Sequence, residues 1–303
     1  MGVNLLVSGS SGLIGTAVVS HLRAKGAAVS RLVRARHFSS EPELLWNPVA
    51  RILDFKALEG LDAVVHLAGD PIAAGRWTPE KKASIRDSRV KGTRFLCESL
   101  VRTDHPPQLL VCASAIGIYG NRGDTLLTEE SPPGTGFLAE VAQEWERACE
   151  PALLKGCRVV NLRFGVVLSP RGGALKMMLP PFRLGLGGRL GPGTQWMSWV
   201  SLADVVQAVE HALNTPALQG PINVVSPNPV TNSEFTRILG RVLHRPAAFP
   251  VPAFAARLAF GELADEALLA STRVEPKRLK LSGFRFKHPE LEPALRDLLN
   301  APN

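Results

Sequence analysis

Short apolar runs alternate with longer amphipathic stretches through the first half of the chain. The runs at 4–8, 28–33, 63–67, 109–114 and 158–163 predict β-strands. The stretches at 13–25, 79–102 and 137–155 predict helices. Thr78 is a plausible N-cap for the second of these, with Pro79 at its first position. Strand and helix in regular alternation point to a parallel sheet covered on both faces. The nearly unbroken apolar run AVVHLAG (63–69) fits such a strand. After residue 165 the pattern changes. Residues 169–196 are rich in Gly and Pro and read as a helix followed by an exposed hairpin or loop. Residues 201–213 return to a helix and 221–226 to a strand. Residues 231–303 look like a small helical cap that closes with 288–299.

One loop gives this alternation a chemical meaning. Residues 8–15, SGSSGLIG, place Gly9, Gly12 and Gly15 three residues apart, after the first strand and at the opening of the first helix. A Gly/Ser turn between two elements has the same composition, but this position is where a dinucleotide loop belongs. Gly9 permits the tight turn, Gly12 lets a pyrophosphate approach the backbone, and Gly15 lets the helix pack on the strand. The free N–H groups and positive dipole end of the helix would face the phosphates. The fold class expected is therefore α/β: a Rossmann doubly wound parallel sheet with a smaller, discontinuous C-terminal substrate or cap domain. The nucleotide-binding domain would take residues 1–165 and roughly 199–226. The smaller domain would take 166–198 and 227–303.

Charge refines the cofactor. NAD-preferring folds usually carry Asp or Glu at the end of the second strand. Here that place holds Arg34, with Arg31 and Arg36 beside it. Residues 1–40 contain no Asp or Glu at all. A guanidinium pairs with a 2′-phosphate through two donors. Each charge-assisted bond contributes ~1.5–3 kcal/mol, a roughly 10- to 100-fold preference for NADPH over NADH. The expected cofactor is NADP(H). Arg89 lies on the apolar stripe of the helix 79–102, four residues after Ile85. A charge directed inward needs a partner. The cofactor pyrophosphate or a ribose neighbour is one, a buried carboxylate the other.

The remaining composition mainly excludes. The net charge is +8, with 45% hydrophobic and 20% charged residues. Positive charge alone is compatible with nucleic acid, but no arginine-rich arm or like-charge block is present. No apolar run reaches the ~18–20 residues of a membrane span. No secretory leader pattern precedes the strand at 3–8, so a cytoplasmic location is expected. Cys97, Cys112, Cys149 and Cys157 match no zinc spacing and read as reduced core residues. His21, His37 and His66 form no metal or nucleophilic constellation, and no metal is expected.

The motifs SGSSGLIG (8–15), VVHLAG (64–69), VKGTRFL (90–96), SAIGIYG (114–120), NLRFGVVL (161–168) and VSLADVVQAV (200–209) occur in the order found in extended short-chain dehydrogenase/reductases. The chain resembles the epimerase-related branch of that family along nearly its whole length. The segments 75–93, 181–200 and 283–295 resemble a subgroup of epimerase-like oxidoreductases of unassigned substrate. The resemblance implies that Ser10, Ser11, Leu13 and Ile14 belong to the pyrophosphate loop. It implies that Leu67, Ala68 and Gly69 line the adenosine and ribose side, and that Val167 lies near the nicotinamide. Asp204 matches a position that stabilises local structure.

The departures concern chemistry. Enzymes of this family use a serine and a Tyr-x-x-x-Lys pair, in which the lysine lowers the tyrosine's pKa for proton exchange. Here the pair falls on Phe137 and Val141, and the serine position on Ala115. Tyr119 is the single tyrosine, and position 123 is Gly. Three groups remain near the expected nicotinamide: Tyr119 as proton donor, Ser114 as carbonyl-orienting hydroxyl, and Glu140 as acid or base if burial raises its pKa. Each also has an ordinary structural reading. Trp77, Trp196 and Trp199 fall in the subgroup-specific segments and would wall an apolar substrate pocket or pack the cap. The Gly-rich loop 185–193 reads as a lid without a P-loop ending.

Three readings of function follow. One is an NADP(H)-dependent oxidoreductase or epimerase-like enzyme acting on a small carbonyl or sugar-like substrate. The other is a catalytically silent, NADP(H)-binding, redox-responsive module. A basic nucleic-acid-binding protein is the third and weakest reading. The partners expected are a small-molecule substrate and, compatibly, a second copy in a homodimer, with no nucleic acid and no membrane.

Overall fold

The computed structural model describes residues 3–35 and 42–300; Arg36 and His37 lie outside them. In chain order the elements begin β1 (Asn4–Ser8), α1 (Leu13–Ala24), β2 (Ala28–Val33), β3 (Glu43–Asn47), β4 (Ile52–Leu53), β5 (Ala63–His66) and α2 (Pro79–Leu100). They continue with β6 (Leu109–Ala115), β7 (Leu126–Leu127), α3 (Phe137–Arg147), α4 (Glu150–Leu154), β8 (Arg158–Phe164), β9 (Val166–Leu168) and α5 (Gly173–Arg183). Then come β10 (Trp196–Met197), β11 (Trp199–Ser201), α6 (Leu202–Asn214), β12 (Gly220–Val224), β13 (Val230–Thr231) and α7 (Asn232–Val242). The described chain closes with α8 (Ala253–Phe260), β14 (Arg273–Val274), α9 (Lys277–Leu281) and α10 (Leu291–Asn300).

Eight strands form one sheet in the order β12-β8-β6-β5-β1-β2-β3-β4. Every pairing in it is parallel except β3 with β4 at one edge. This is a mostly parallel Rossmann-type sheet. Its central strands are apolar on both faces: Ala63, Val64, Val65, Leu109, Leu110 and Val111 are all buried. α1 and α6 pack against each other on one face, while α2 contacts α3 and α4. A second core lies apart from the sheet. Leu168, Leu175, Leu179 and Phe182 meet Trp199, Phe235, Leu239, Leu291 and Leu295 there. Three stretches far apart in sequence thus contribute to it.

Helices α2, α6 and α7 each begin at a side chain that accepts one of their first N–H groups. Thr78 accepts from Lys81 N at 3.2 Å. Thr231 and Glu234 form a reciprocal capping box at α7. Three expectations change. The helix over 137–155 is two helices, because α3 ends at Arg147 and Pro151 stands in the first turn of α4. The edge strands β3 and β4 are additional. The segment after α5 is neither an exposed hairpin nor a free lid. Gly191 N donates to Val251 O at 2.8 Å, Val251 N to Arg189 O at 2.8 Å, and Leu190 N to Asn232 Oδ1 at 2.8 Å. Gly188 lies so close to the Phe249 backbone that a Cβ would clash with it.

Candidate functional site

In a doubly wound sheet, ligands bind beyond the carboxyl ends of the strands where the strand order reverses. Here that point lies between β1 and β5, with β2 on the far side of β1. The loop 9–12 joins β1 to α1 at this point. Gly9 has φ +64°, and a Cβ there would sit 2.6 Å from the Leu67 carbonyl carbon. A Cβ on Gly15 would lie 2.8 Å from the Gly9 carbonyl carbon and the Ser10 Cα. The loop therefore fits only with hydrogen at both positions. Gly12 is the N-cap of α1, and no side chain caps that helix or adds a carboxylate to its first turn. The N–H groups at this helix start are left for an anionic group. These residues fit the diphosphate of a dinucleotide.

The floor of this site is a buried polar chain. Leu67 N donates to Ser8 Oγ at 3.1 Å, and Ser8 Oγ shares a 2.6 Å hydrogen bond with His66 Nδ1. His66 Nε2 meets Thr93 Oγ1 at 3.0 Å, and Trp145 Nε1 donates to the same hydroxyl at 2.9 Å. Burial pulls the His66 pKa from 6.5 down to about 4, so the ring is neutral. It ties β1, β5, α2 and α3 together just beneath the loop.

Arg89 lies across the end of β5. Its Nη1 donates to the carbonyls of Asp70 at 2.9 Å and Ile85 at 3.1 Å. Its guanidinium sits 5.1 Å from the Trp145 ring and would touch a Cβ on Gly69 at 3.2 Å. The inward charge is thus held by backbone carbonyls rather than by a paired carboxylate. Burial lowers its pKa to about 10, which leaves it charged at neutral pH. Arg31 Nε donates to Ser10 Oγ at 3.3 Å and its Nη1 lies 3.8 Å from Glu43. Arg34 is exposed just past β2. Leu13 packs on Gly172 and Gly173, and Gly173 lies against the Val167 carbonyl, so these expected site residues do converge. Ser11 is exposed, and Ile14, Leu67 and Ala68 are half-buried against the main core.

The expected proton-handling groups are arranged differently. Ser114 is buried, and its Oγ donates to Glu146 Oε1 at 2.7 Å. Glu146 also receives Arg163 Nε and Nη2, each at 2.8 Å. Arg163 Nη1 donates to the Tyr119 hydroxyl at 2.9 Å, which donates to Asn223 Oδ1 at 2.7 Å. Tyr119 is 0% exposed. Burial pushes its phenol above the ordinary value, although Arg163 and Asn223 act in the opposite direction. Enclosed and bonded on both sides, Tyr119 is a structural residue rather than a proton donor, and Ser114 belongs to the same network. Glu140 is exposed rather than half-buried, and it pairs with Arg86 at 3.1 Å. Glu140 therefore lacks the burial on which its expected acid or base role depended. Trp199 is fully buried in the second core, with Nε1 donating to Asn228 O at 3.1 Å, so it cannot wall a pocket. Trp77 and Trp196 keep partly exposed faces.

The surroundings of Phe137, at the tyrosine position, carry no sequence signal. Trp77 meets its ring edge-on at 5.2 Å, and Lys82 Nζ stands 4.5 Å over its face. Glu266 accepts the N–H groups of Phe137 at 3.3 Å and Leu138 at 3.0 Å, which caps α3 from the C-terminal part of the chain. Nearby, Lys81 Nζ donates to Asp70 Oδ2 at 2.6 Å. Burial acts to raise the Asp70 carboxyl, but Lys81, Ser84 and Arg89 together hold it below the usual range. Arg163 does have a signal in the sequence: a cation inside an apolar strand demands a buried partner. Glu266 has none, because its contact spans 129 residues. Among the described residues no group of three His, Cys, Asp or Glu is placed to hold a metal. All four cysteines are free and buried.

Comparison with known proteins bears on the family and the fold. The chain is 47% identical over 289 residues to the epimerase family protein Mb2239 of Mycobacterium bovis, covering 95% of each chain. It is 39% identical over 303 residues to the chloroplastic epimerase family protein SDR39U1 homolog of Arabidopsis thaliana, covering 97% of this chain and 86% of that one. The crystal structure of human epimerase family protein SDR39U1 (isoform 2) with NADPH superposes with a TM-score of 0.87 at 31% identity. That match covers 98% of this chain and all of the human one. A domain of unknown function (DUF1731) matches residues 251–298. The family described as NAD dependent epimerase/dehydratase matches residues 5–225, more than half the chain. As its motif order implied, the chain belongs to the NAD dependent epimerase/dehydratase family.

Proposed function

We propose that the protein is an NADP(H)-dependent oxidoreductase or epimerase-like enzyme that acts on a small carbonyl or sugar-like substrate. The observation that carries this reading is the β1–α1 loop, where Gly9 and Gly15 leave no room for a Cβ and the helix start carries no cap. Arg34 occupies the place of the acidic residue that would select NAD. The human relative solved with NADPH supports the same choice. In this reading Gly9, Ser10, Ser11, Gly12, Leu13, Ile14 and Gly15 form the diphosphate loop, and Arg31 and Arg34 face the 2′-phosphate. Leu67, Ala68, Gly69 and Arg89 border the ribose side, and Val167 the nicotinamide. The bound nicotinamide supplies a hydride donor or acceptor.

The chain's own residues shape the substrate side. Phe137 and Trp77 form an apolar corner, and Lys82 and Arg86, each paired with a carboxylate, lie against the Phe137 ring. Because Phe137 has no exchangeable proton and Tyr119 is enclosed, water entering this corner supplies or takes up the substrate proton. The test is oxidation of NADPH against a panel of aldehydes, ketones, quinones and keto-sugars. Turnover with one class, lost in Gly15→Ala, is the expected result. One observation favours the second reading, an NADP(H)-responsive module without turnover: Ser114 and Tyr119, the nearest hydroxyls of the expected catalytic set, are both spent on buried partners. Tight NADPH binding with no oxidation across the panel, together with a cofactor-dependent change in hydrogen exchange, establishes that reading instead.

A further inference from the structure

Far from the glycine loop in sequence, the second core carries a cavity of about 440 Å³ on the outer side of α7. Four arginines line it: Arg189 from the loop after α5, Arg237 and Arg241 from α7, and Arg245 from the turn that follows. The hydroxyl residues Ser233 and Thr236 complete the polar lining. No carboxylate lines the cavity. The walls are built for closeness: a Cβ on Gly240 would meet Ala247 Cβ at 2.9 Å and Arg245 O at 3.0 Å. Only a glycine there lets the turn bearing Arg245 fold back beside Arg237 and Arg241.

The protein's own partners leave most of this charge uncompensated. Arg241 alone has a carboxylate, Glu292 at 2.9 Å, and Glu292 is shared with Arg296 at 2.7 Å. Arg189 donates to Pro192 O at 3.2 Å and Arg245 to Arg183 O at 3.0 Å, contacts that orient a guanidinium without neutralising it. No hydrogen bond or ion pair holds Arg237 among the described residues. Arg237 and Arg241 stand one helical turn apart, where like charges repel. All four side chains are exposed to water, which keeps their mutual repulsion small and leaves their donors open to an anion that joins them. A guanidinium fork matches the oxygen pairs of a phosphoryl group, and hydroxyls add further donors.

We propose that this cavity is a second binding site, separate from the dinucleotide loop, for a phosphoryl-bearing polyanion. The phosphoryl groups have two possible sources. One is a free phosphorylated molecule. The other is an anionic lipid headgroup, for which Leu186 and Phe249, each 56% exposed on neighbouring segments, would provide apolar contact.

The test is calorimetric titration of the full chain with inorganic tripolyphosphate, in saturating NADPH and at physiological salt. A parallel arm measures sedimentation with phosphatidylcholine vesicles with and without phosphatidic acid. Arg237→Ala and Arg245→Ala are compared with Lys91→Ala, which removes an exposed cation from α2; thermal melts check that all three fold. The expected result is saturable 1:1 binding of tripolyphosphate that weakens about 10- to 100-fold in the two arginine variants and stays unchanged in Lys91→Ala. Vesicle binding that needs phosphatidic acid and is lost in the same two variants, without tripolyphosphate binding, assigns the site to a lipid headgroup. Absence of both interactions overturns the proposal, as does equal weakening in all three variants. The comparison of variants locates the site whether or not NADPH is the true cofactor.

Discussion

Single side chains decide which dinucleotide the loop prefers and how the floor beneath it responds to pH. Arg34 is exposed at the end of β2, so its interaction with a 2′-phosphate would be made at the surface, yet through a charge-assisted fork. Arg34→Ala is expected to lower the ratio of NADPH to NADH affinity by about 10- to 100-fold, read by fluorescence titration. An unchanged ratio would transfer the selectivity to Arg31, whose side chain already reaches Ser10. His66 makes a different prediction. Its ring stays neutral in the folded protein down to pH about 4, while in the unfolded chain it protonates near 6.5. Below 6.5 the unfolded state therefore binds more protons, so His66's contribution is complete above that pH and is lost as pH falls toward 4. At about 1.4 kcal/mol per pH unit the loss is limited to about 3.5 kcal/mol. The urea midpoint should fall across this window, and the fall should flatten in His66→Gln. An equally steep fall in the variant would assign it to carboxylates elsewhere. Much at this scale is legible in the amino-acid sequence. The three glycines, Arg34, and the loss of tyrosine and lysine at Phe137 and Val141 all stand there. The enclosure of Tyr119 does not, because it depends on Asn223 and Arg163, which meet it only after β8 and β12 join the sheet.

At the scale of elements, the same residue type has opposite consequences according to what surrounds it. Gly15 lies in the first turn of α1 against the backbone of Gly9 and Ser10, where a methyl group cannot fit. Gly92 is buried in the middle of α2, yet a Cβ there meets nothing nearer than 4.0 Å. Gly15→Ala should force α1 away from β1, destabilise the protein by about 1–3 kcal/mol, and abolish measurable NADPH binding. Gly92→Ala should do the reverse and stabilise by about 0.5–1 kcal/mol, because alanine loses less backbone freedom in a helix. Paired urea titrations distinguish the two; a loss of stability in Gly92→Ala would show that α2 needs that space. The elements themselves are legible where local pattern dominates. The ranges of β1 and β2 follow directly from their apolar runs, and the start of α2 from Thr78 and Pro79. β3 and β4 are not legible, because Leu45 and Ile52 are exposed and edge strands carry no clean alternation. The loop 185–193 misleads for a related reason: its glycines signal mobility in isolation but serve close packing against Phe249 and Ala253.

Across the whole molecule, the question is how binding at one loop reaches the rest. The sheet core and the second core are separate apolar clusters, and the second assembles from segments near 168–182, 235–239 and 291–295. Local pattern can announce such segments as helices but not which of them meet, which is why the cap is legible only in outline. One contact bridges the two parts at the site itself: Leu13, on the first turn of α1, packs on Gly172 and Gly173 at the entrance to α5. A ligand held by the start of α1 therefore steadies an element that packs into the sheet core and touches the entrance to α5, and its binding energy should appear as stability of the whole fold. At a concentration 100 times its dissociation constant a ligand adds about 2.7 kcal/mol. Unfolding entropy near 2.1 cal/mol/K per residue gives about 0.6 kcal/mol/K for the 303 residues, so NADPH should raise the melting temperature by about 4 °C. If NADH binds 10- to 100-fold more weakly, the same concentration adds only about 0.4–1.4 kcal/mol, or about 1–2 °C. A single transition should move in both cases, because the bridging contact joins the two cores. In Arg34→Ala the two shifts should converge near the smaller value. Two separate transitions, of which NADPH moves only one, would show instead that the sheet and the second core unfold independently and that the Leu13 contact does not couple them.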